Sequence, residues 1–308
     1  MSNSALIKSS IAKKYWMALT GLFLCTFLVG HLLGNLQLVS NELSVFINFL
    51  IKKLFSDPEN FYLSVKSNEE VRRAFNEYAY FMGHNIFIKV LSYVTYASIL
   101  FHAVDGIMLT IQNKKARPVN YAFNNPTANS SLPSRWMAVL GTLILVFIAT
   151  HMANFWWKMK IKEDVPLHTY KIESDQPNPA IATEVFYYTH IPTIQPIPKD
   201  EKGIEEKGTE LYYKGTNIKI GEGYRDLHTV VIEFFSKSNS SALFGVLFYT
   251  ISMLVLGFHL WHGFASAFQS LGVNHAKWNP LIKGLGKGFA VLIPALFAII
   301  PILIYLKS

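Results

Sequence analysis

The sequence predicts an all-α membrane protein, a bundle of five transmembrane helices carrying one long, irregular loop outside the bilayer. Three observations predict it. The 308 residues are 51% hydrophobic and only 16% charged, against about 25% charge in a soluble domain. Five segments reach the roughly 20 apolar residues that cross a hydrocarbon core of about 30 Å. And the chain states one helix-pair design twice, through motifs that recur at matched positions.

The first apolar segment, 16–39, follows Lys13 and Lys14. It exceeds a signal-peptide core and no small-x-small site closes it, so it reads as a retained span. The connection 40–85 holds an apolar stretch at Val45–Phe55, too short to span, and a helix expected at Asn68–Met82. The second and third spans fall at 86–111 and 136–157. The connection 158–241 scatters Pro166, Pro177, Pro179, Pro192, Pro196 and Pro198, then turns strand-like at Leu211–Tyr213 and Ile218–Ile220. Its composition predicts a small, irregular cap. Spans at 242–268 and 288–306 complete the set; Pro294 and Pro301 in the last predict kinks, not a break. The expected organisation is one membrane domain, 1–157 and 242–308, interrupted by the loop 158–241.

Charge sets the orientation. Lys8, Lys13 and Lys14, then Lys114, Lys115, Arg117 and Arg135, then Lys277, Lys283 and Lys287 gather on one side in segments free of acidic residues. The longer connections on the other side mix both signs. An excess of Lys and Arg in short loops marks the cytoplasmic side. The expectation is therefore a cytoplasmic N-terminus, an extracytoplasmic C-terminus and an extracytoplasmic long loop. The formal net charge of +8 does not argue for nucleic acid, because no basic stripe forms within one element. The single cysteine, Cys25, excludes an internal disulfide framework and a thiolate metal cluster.

The repeated motifs carry the chemistry. Phe101-His102-Ala103-Val104-Asp105-Gly106 is matched by Phe258-His259-Leu260-Trp261-His262-Gly263. Trp16-Met17-Ala18-Leu19-Thr20-Gly21 precedes His31 by the spacing with which Trp136-Met137-Ala138-Val139-Leu140-Gly141 precedes His151. At 1.5 Å per residue each His lies about 22–26 Å along its span. Successive helices run in opposite directions, so His31 should meet His151 at one level and His102 should meet His259 at another, about 16 Å away. Neutral imidazole is a good axial ligand for iron, and two of them fill both axial positions. The expectation is two bis-His haems stacked across the membrane. Gly106 and Gly263 follow their His by four residues, on the same helix face, where the lack of a side chain lets a flat macrocycle approach. Gly21 and Gly141, about 15 Å from the other two His, should flank the same ring as Gly106 and Gly263.

Other readings stand beside this one. Gly30 and Gly34 suit helix packing alone. His262 could replace His259, although the motif aligns His259 with His102. Protein-bound zinc or copper fits poorly, since no carboxylate or thiolate joins either pair. A haem-free transporter with His proton relays would call for interrupted helices and acidic residues at the midplane, where this chain has neither Asp nor Glu. His84, opening the second span, could meet a quinone headgroup or simply sit in the interface. His168, His190, His228 and His275 read as polar surface.

At these residues the chain resembles the five-helix, di-haem cytochrome b subunit of succinate dehydrogenase and fumarate reductase (respiratory complex II), in its long single-subunit, menaquinone-using bacterial form. The stretches that carry the resemblance are Lys14–Asn35, Ile99–Tyr121, Arg135–Lys160 and Leu254–Asn274. One His on each of the first four spans separates this pattern from bc-type cytochrome b, where two helices each carry two. The resemblance implies a bacterial cytoplasmic membrane location and two haem b groups. By position, His102 and His259 match the ligands of the inner haem, and His31 and His151 those of the outer. It also implies a docked iron–sulfur subunit bearing a flavoprotein subunit, where the dicarboxylate chemistry occurs. Menaquinone or another quinone would exchange electrons with the membrane subunit, and Glu77 is the nearest match to an acidic residue beside the outer quinone site. The length of 158–241 departs from the family. A cytochrome b subunit of a formate dehydrogenase or hydrogenase would keep the haems and change the partner.

Overall fold

The computed structural model describes residues 10–54, 63–119, 123, 125–171, 185–190, 196–199 and 202–308. Lys8, Phe55, Asn120, Tyr121, Pro177, Pro179 and Pro192 lie outside the described residues. Apart from the single turns Pro126–Asn129 and Leu132–Arg135, the α-helices in chain order are α1 (Ser10–Leu36), α2 (Ser40–Leu54), α3 (Asn68–His84), α4 (Ile86–Lys115), α5 (Met137–His151), α6 (Leu227–Phe235), α7 (Ala242–Ser270) and α8 (Asn279–Lys307). The strands are β1 (Thr169–Lys171), β2 (Val185–Tyr187), β3 (Ile197–Pro198), β4 (Ile204–Lys207), β5 (Glu210–Tyr213) and β6 (Lys219–Glu222). They divide into two compact units: Met1–Leu36, Ile86–His151 and Ser240–Ser308 form one, Gln37–Asn85 and Met152–Asn239 the other.

Five helical segments are long and apolar enough to cross a membrane: Ile11–Leu50, Ile86–Lys115, Met137–Lys162, Ala242–Ser270 and Asn279–Lys307. These are the dimensions of a multi-pass membrane protein. In the first unit α1 packs on α4 and α7, and α7 packs on α5 and along α8. Phe87, Tyr93, Phe244, Leu254 and Leu285 stand exposed in this unit, large apolar side chains suited to lipid. A small core joins Cys25, Leu260 and Ala290, with Leu28, Leu256, Phe264 and Phe289 against it. The α7–α8 crossing needs glycine. A Cβ at Gly257 would lie 3.1 Å from the Ala290 carbonyl oxygen, and one at Gly286 would lie 2.9 Å from Phe264 Cδ1. Small residues let membrane helices approach this closely.

The last helix starts at Asn279, with Pro280 in its first turn, well before the expected 288. Lys283, Gly284, Lys287 and Gly288 dilute the hydropathy there without breaking the helix, and proline suits a first turn, where its missing N–H is not needed. The helix continues through Pro294 and Pro301, both buried. After His151 the chain of α5 winds on as π-helical turns, Met152–Trp156 and Lys158–Lys162, ending at Glu163 with φ 53°.

The second unit takes in 37–85 as well as 152–239, and its described residues include six short strands. β1, β2 and β3 form one antiparallel sheet with Thr169 opposite Tyr187, and β4, β5 and β6 another with Glu206 opposite Leu211. Leu167, Tyr187, Ile197 and Leu211 make their core, with Ile204 and Ile220 packed on it. α3 opens with a capping box: Ser67 Oγ accepts from Glu70 N at 3.2 Å and Glu70 Oε2 accepts from Ser67 N at 2.6 Å. α2 is anchored by Asn41 and Asn48, each pairing with both backbone groups of Lys66 and Leu63 respectively.

A buried polar network ties α3 to α6. Asp226, the N-cap of α6, accepts from Thr229 N (3.2 Å), Asn76 Nδ2 (2.8 Å) and Arg72 Nε (3.1 Å). Asn76 also reaches His168 Nδ1 at 3.1 Å and accepts from His228 N at 2.9 Å. His168 is fully buried, with Nε2 3.0 Å from Glu69 Oε1. Neither His168 nor His228 is therefore ordinary polar surface. Burial drives the His168 pKa down, and Nε2–H donating to Glu69 fixes its tautomer.

Candidate functional site

The four helices that carry the repeated motifs bring their histidines together two by two. His31 of α1 lies 5.8 Å from His151 of α5 between ring centroids, with the planes at 82°. His102 of α4 lies 6.1 Å from His259 of α7, at 70°. It is thus His259 whose ring faces His102; His262 enters no ring contact with it among the described residues. Aromatic rings wall the first pair: Phe27 stacks on His31 at 5.4 Å, Phe297 lies 5.7 Å from it, Phe147 stacks on His151 at 5.7 Å, and Tyr249 lies 5.9 Å from His151. Asn35 Nδ2 stands 3.5 Å from the His31 ring nitrogens.

The motif glycines repeat their contacts as well. A Cβ at Gly21 would meet His102 Cε1 at 3.1 Å, and one at Gly141 would meet His259 Cε1 at 3.7 Å. A Cβ at Gly106 would meet the Met17 methyl at 4.0 Å, and one at Gly263 the Met137 methyl at 3.9 Å. Each Trp-Met-Ala-x-x-Gly turn therefore seats the Phe-His-x-x-x-Gly turn of its partner helix, Gly under imidazole and Met against Gly. Gly21 touches one pair while His31, ten residues on along the unbroken α1, belongs to the other. The two pairs are separated by about 15 Å along that helix.

This geometry fits a metal held between two imidazoles. Two metal–nitrogen bonds of about 2 Å in line, with each ring centre set back from its nitrogen, put centroids about 6 Å apart. Among the described residues no group of three or more His, Cys, Asp and Glu is placed to hold a metal ion, so a metal here would draw its other ligands from a cofactor. His259 Nδ1 is buried without a hydrogen-bond partner among the described residues, at a cost of about 1–3 kcal/mol.

Glu77 and His84 both lie on α3 of the second unit. Glu77 is exposed and accepts a hydrogen bond from the Tyr188 hydroxyl. His84 donates from Nδ1 to the Tyr80 carbonyl at 2.8 Å and stacks on the Tyr80 ring at 3.8 Å. His190, expected only as polar surface, stacks on Tyr80 at 4.4 Å and contacts the Tyr224 hydroxyl at 3.1 Å. Tyr188 stacks on Tyr224 at 5.1 Å, and Arg73 lies over Tyr188 at 4.8 Å. Burial first, then the bond to Glu77, hold the Tyr188 hydroxyl well above its ordinary pKa, so it remains a donor. The β-branched and aromatic run Val185-Phe186-Tyr187-Tyr188 is the sequence signal that could have found this segment.

Fold and site together define a helical membrane protein with two histidine pairs on a repeated helix-pair scaffold. Compared with known proteins, the chain matches no family model, no curated protein and no solved structure.

Proposed function

We propose that this chain is the membrane-anchoring di-haem cytochrome b subunit of a succinate:quinone oxidoreductase, menaquinone-linked, in a bacterial cytoplasmic membrane. The observation that carries the reading is the pairing of four histidines, one per helix, at about 6 Å in both pairs. When bound, the two haems supply one-electron redox chemistry between an iron–sulfur partner and quinone. His31 with His151, and His102 with His259, would hold the two irons. Gly21, Gly106, Gly141 and Gly263 keep the backbone close to that space. Lys114, Lys115, Arg117 and Arg135 belong to the cytoplasmic side and offer positive charge to an acidic partner surface and to propionates. Quinone reduction consumes two protons and quinol oxidation releases two, so an ionisable group must stand by. Glu77 and His84 serve that role, with Tyr188 holding the Glu77 carboxylate.

The test is composition. The purified chain should carry close to two haems by pyridine haemochrome assay, both low-spin, and should co-purify with an iron–sulfur and a flavoprotein subunit. No haem, or a high-spin five-coordinate signal, would remove the ligand assignment. A formate dehydrogenase or hydrogenase partner would keep the haems and overturn the succinate reading.

A further inference from the structure

The two halves of the repeat differ where one side chain meets the His102–His259 pair. We infer that Thr20 is a positioning residue for His102, and that it makes the two imidazoles of this pair unequal electron donors. This rests on the haem reading above. Thr20 is buried, and its hydroxyl donates to the Trp16 carbonyl at 2.7 Å, with Met17 O at 3.2 Å. Its one proton is thereby committed, so towards His102 Nδ1, 3.3 Å away, the oxygen acts as an acceptor. The Met17 carbonyl lies 3.2 Å from the same nitrogen and accepts too. A ring nitrogen facing two acceptors carries the proton. His102 is thus fixed as its Nδ1–H tautomer, with Nε2 left as the free lone pair. Gly21 lets the ring sit this close: a Cβ there would be 3.1 Å from Cε1.

In the matched half, Leu140 occupies the place of Thr20. His259 Nδ1 is buried with no hydrogen-bond partner among the described residues, and its Cε1 stands further from the glycine position, at 3.7 Å. An imidazole whose N–H donates to oxygen is the more basic ligand and favours the oxidised metal. His102 is therefore the strong donor of the pair and His259 the weak one. The Met17–Thr20 turn sets the potential at this site.

The test is a redox titration of the purified complex, with both haem components followed by absorbance. Thr20→Val, which keeps shape and removes one of the two acceptors, should raise the midpoint potential of the component lost in His102→Ala and leave the other unmoved. Thr20→Ser should restore it, and Leu140→Thr should shift the same component downward by giving His259 a partner. Two bound haems with both potentials unchanged in Thr20→Val and Leu140→Thr would overturn this inference and leave the haem reading standing. Wild-type chain that binds no haem would overturn the reading beneath it. Should Thr20→Val fail to assemble, Leu140→Thr alone decides.

Discussion

Alanine at Gly21 and alanine at Gly141 should behave differently, although the two glycines hold the same place in the repeat. In water, Gly→Ala in a helix interior gains up to about 1 kcal/mol. At Gly141 the new Cβ would meet His259 Cε1 at 3.7 Å, an ordinary contact, so the gain should survive. At Gly21 the Cβ would meet His102 Cε1 at 3.1 Å, several tenths of an ångström inside the optimum of about 3.5–4.0 Å. The ring must give way, and moving it strains the bonds that hold His102 to the same helix, at Met17 O (3.2 Å) and Thr20 Oγ1 (3.3 Å). Overpacking of this kind costs about 1–3 kcal/mol, and each strained hydrogen bond adds about 1 kcal/mol. Set against the propensity gain, Gly21→Ala should be net unfavourable by about 2–4 kcal/mol, a fall of roughly thirtyfold or more in occupancy of the His102–His259 site. Haem per chain and the reduced-minus-oxidised spectrum measure it: Gly21→Ala should lose most of one component and Gly141→Ala should keep both. Equal loss in the two variants, or loss confined to Gly141→Ala, would refute the contact geometry on which the argument stands.

His31→Ala and His151→Ala should abolish one spectral component, His102→Ala and His259→Ala the other, and His262→Ala neither; removal of one and the same component by His31→Ala and His102→Ala would break the two-level scheme. Acid should loosen the second unit. Burial lowers His228 from 6.5 to about 4. For Asp226 burial pushes upward, but hydrogen bonds from Arg72, Asn76 and Thr229 outweigh it and hold the carboxyl at about 2. Both folded values lie below the unfolded ones, so the unfolded chain binds more protons and stability falls with pH, first between about 6.5 and 4, then between about 4 and 2. Limited proteolysis of 163–235 should accelerate across those windows, and greater resistance at pH 5 than at pH 7 would contradict the sign. Glu77→Gln and His84→Ala should slow quinone-linked turnover several-fold with haem content and flavin-site activity intact; unchanged turnover in both would move the quinone site elsewhere.

The spans were legible because a bilayer demands a property of sequence that needs no partner: about 20 apolar residues in a row. The histidine pairs were legible for a second reason. Depth along a helix is arithmetic, and a motif stated twice gives two independent readings of the same depth. The start of α8 was not, because Lys283, Gly284 and Lys287 hide a helix that Pro280 opens. The sheets of the second unit escaped for want of length: strands of two to four residues show too little alternation to separate them from turns. Burial of His168 was invisible because its partners Asn76 and Glu69 lie 92 and 99 residues away. Only β5 and β6 were anticipated, beside the expected 211–213 and 218–220.

A repeat that were only a packing device would be satisfied by matched shapes. Met17 against Gly106 and Met137 against Gly263 do match, at 4.0 and 3.9 Å, and any apolar residue beneath them would serve. The histidines go further than packing requires. Each adds a polar nitrogen that the apolar interior penalises by about 1–3 kcal/mol when it is left unpaired, and His259 Nδ1 has no partner among the described residues. Replacing all four by leucine or phenylalanine would keep the shape and remove the penalty. The sequence instead holds them in facing pairs with ring centroids 5.8 and 6.1 Å apart. Two imidazoles at that separation are well spaced to share one metal between in-plane nitrogens. What the scaffold repeats is a cradle, and what the cradle presents is a pair of nitrogen lone pairs.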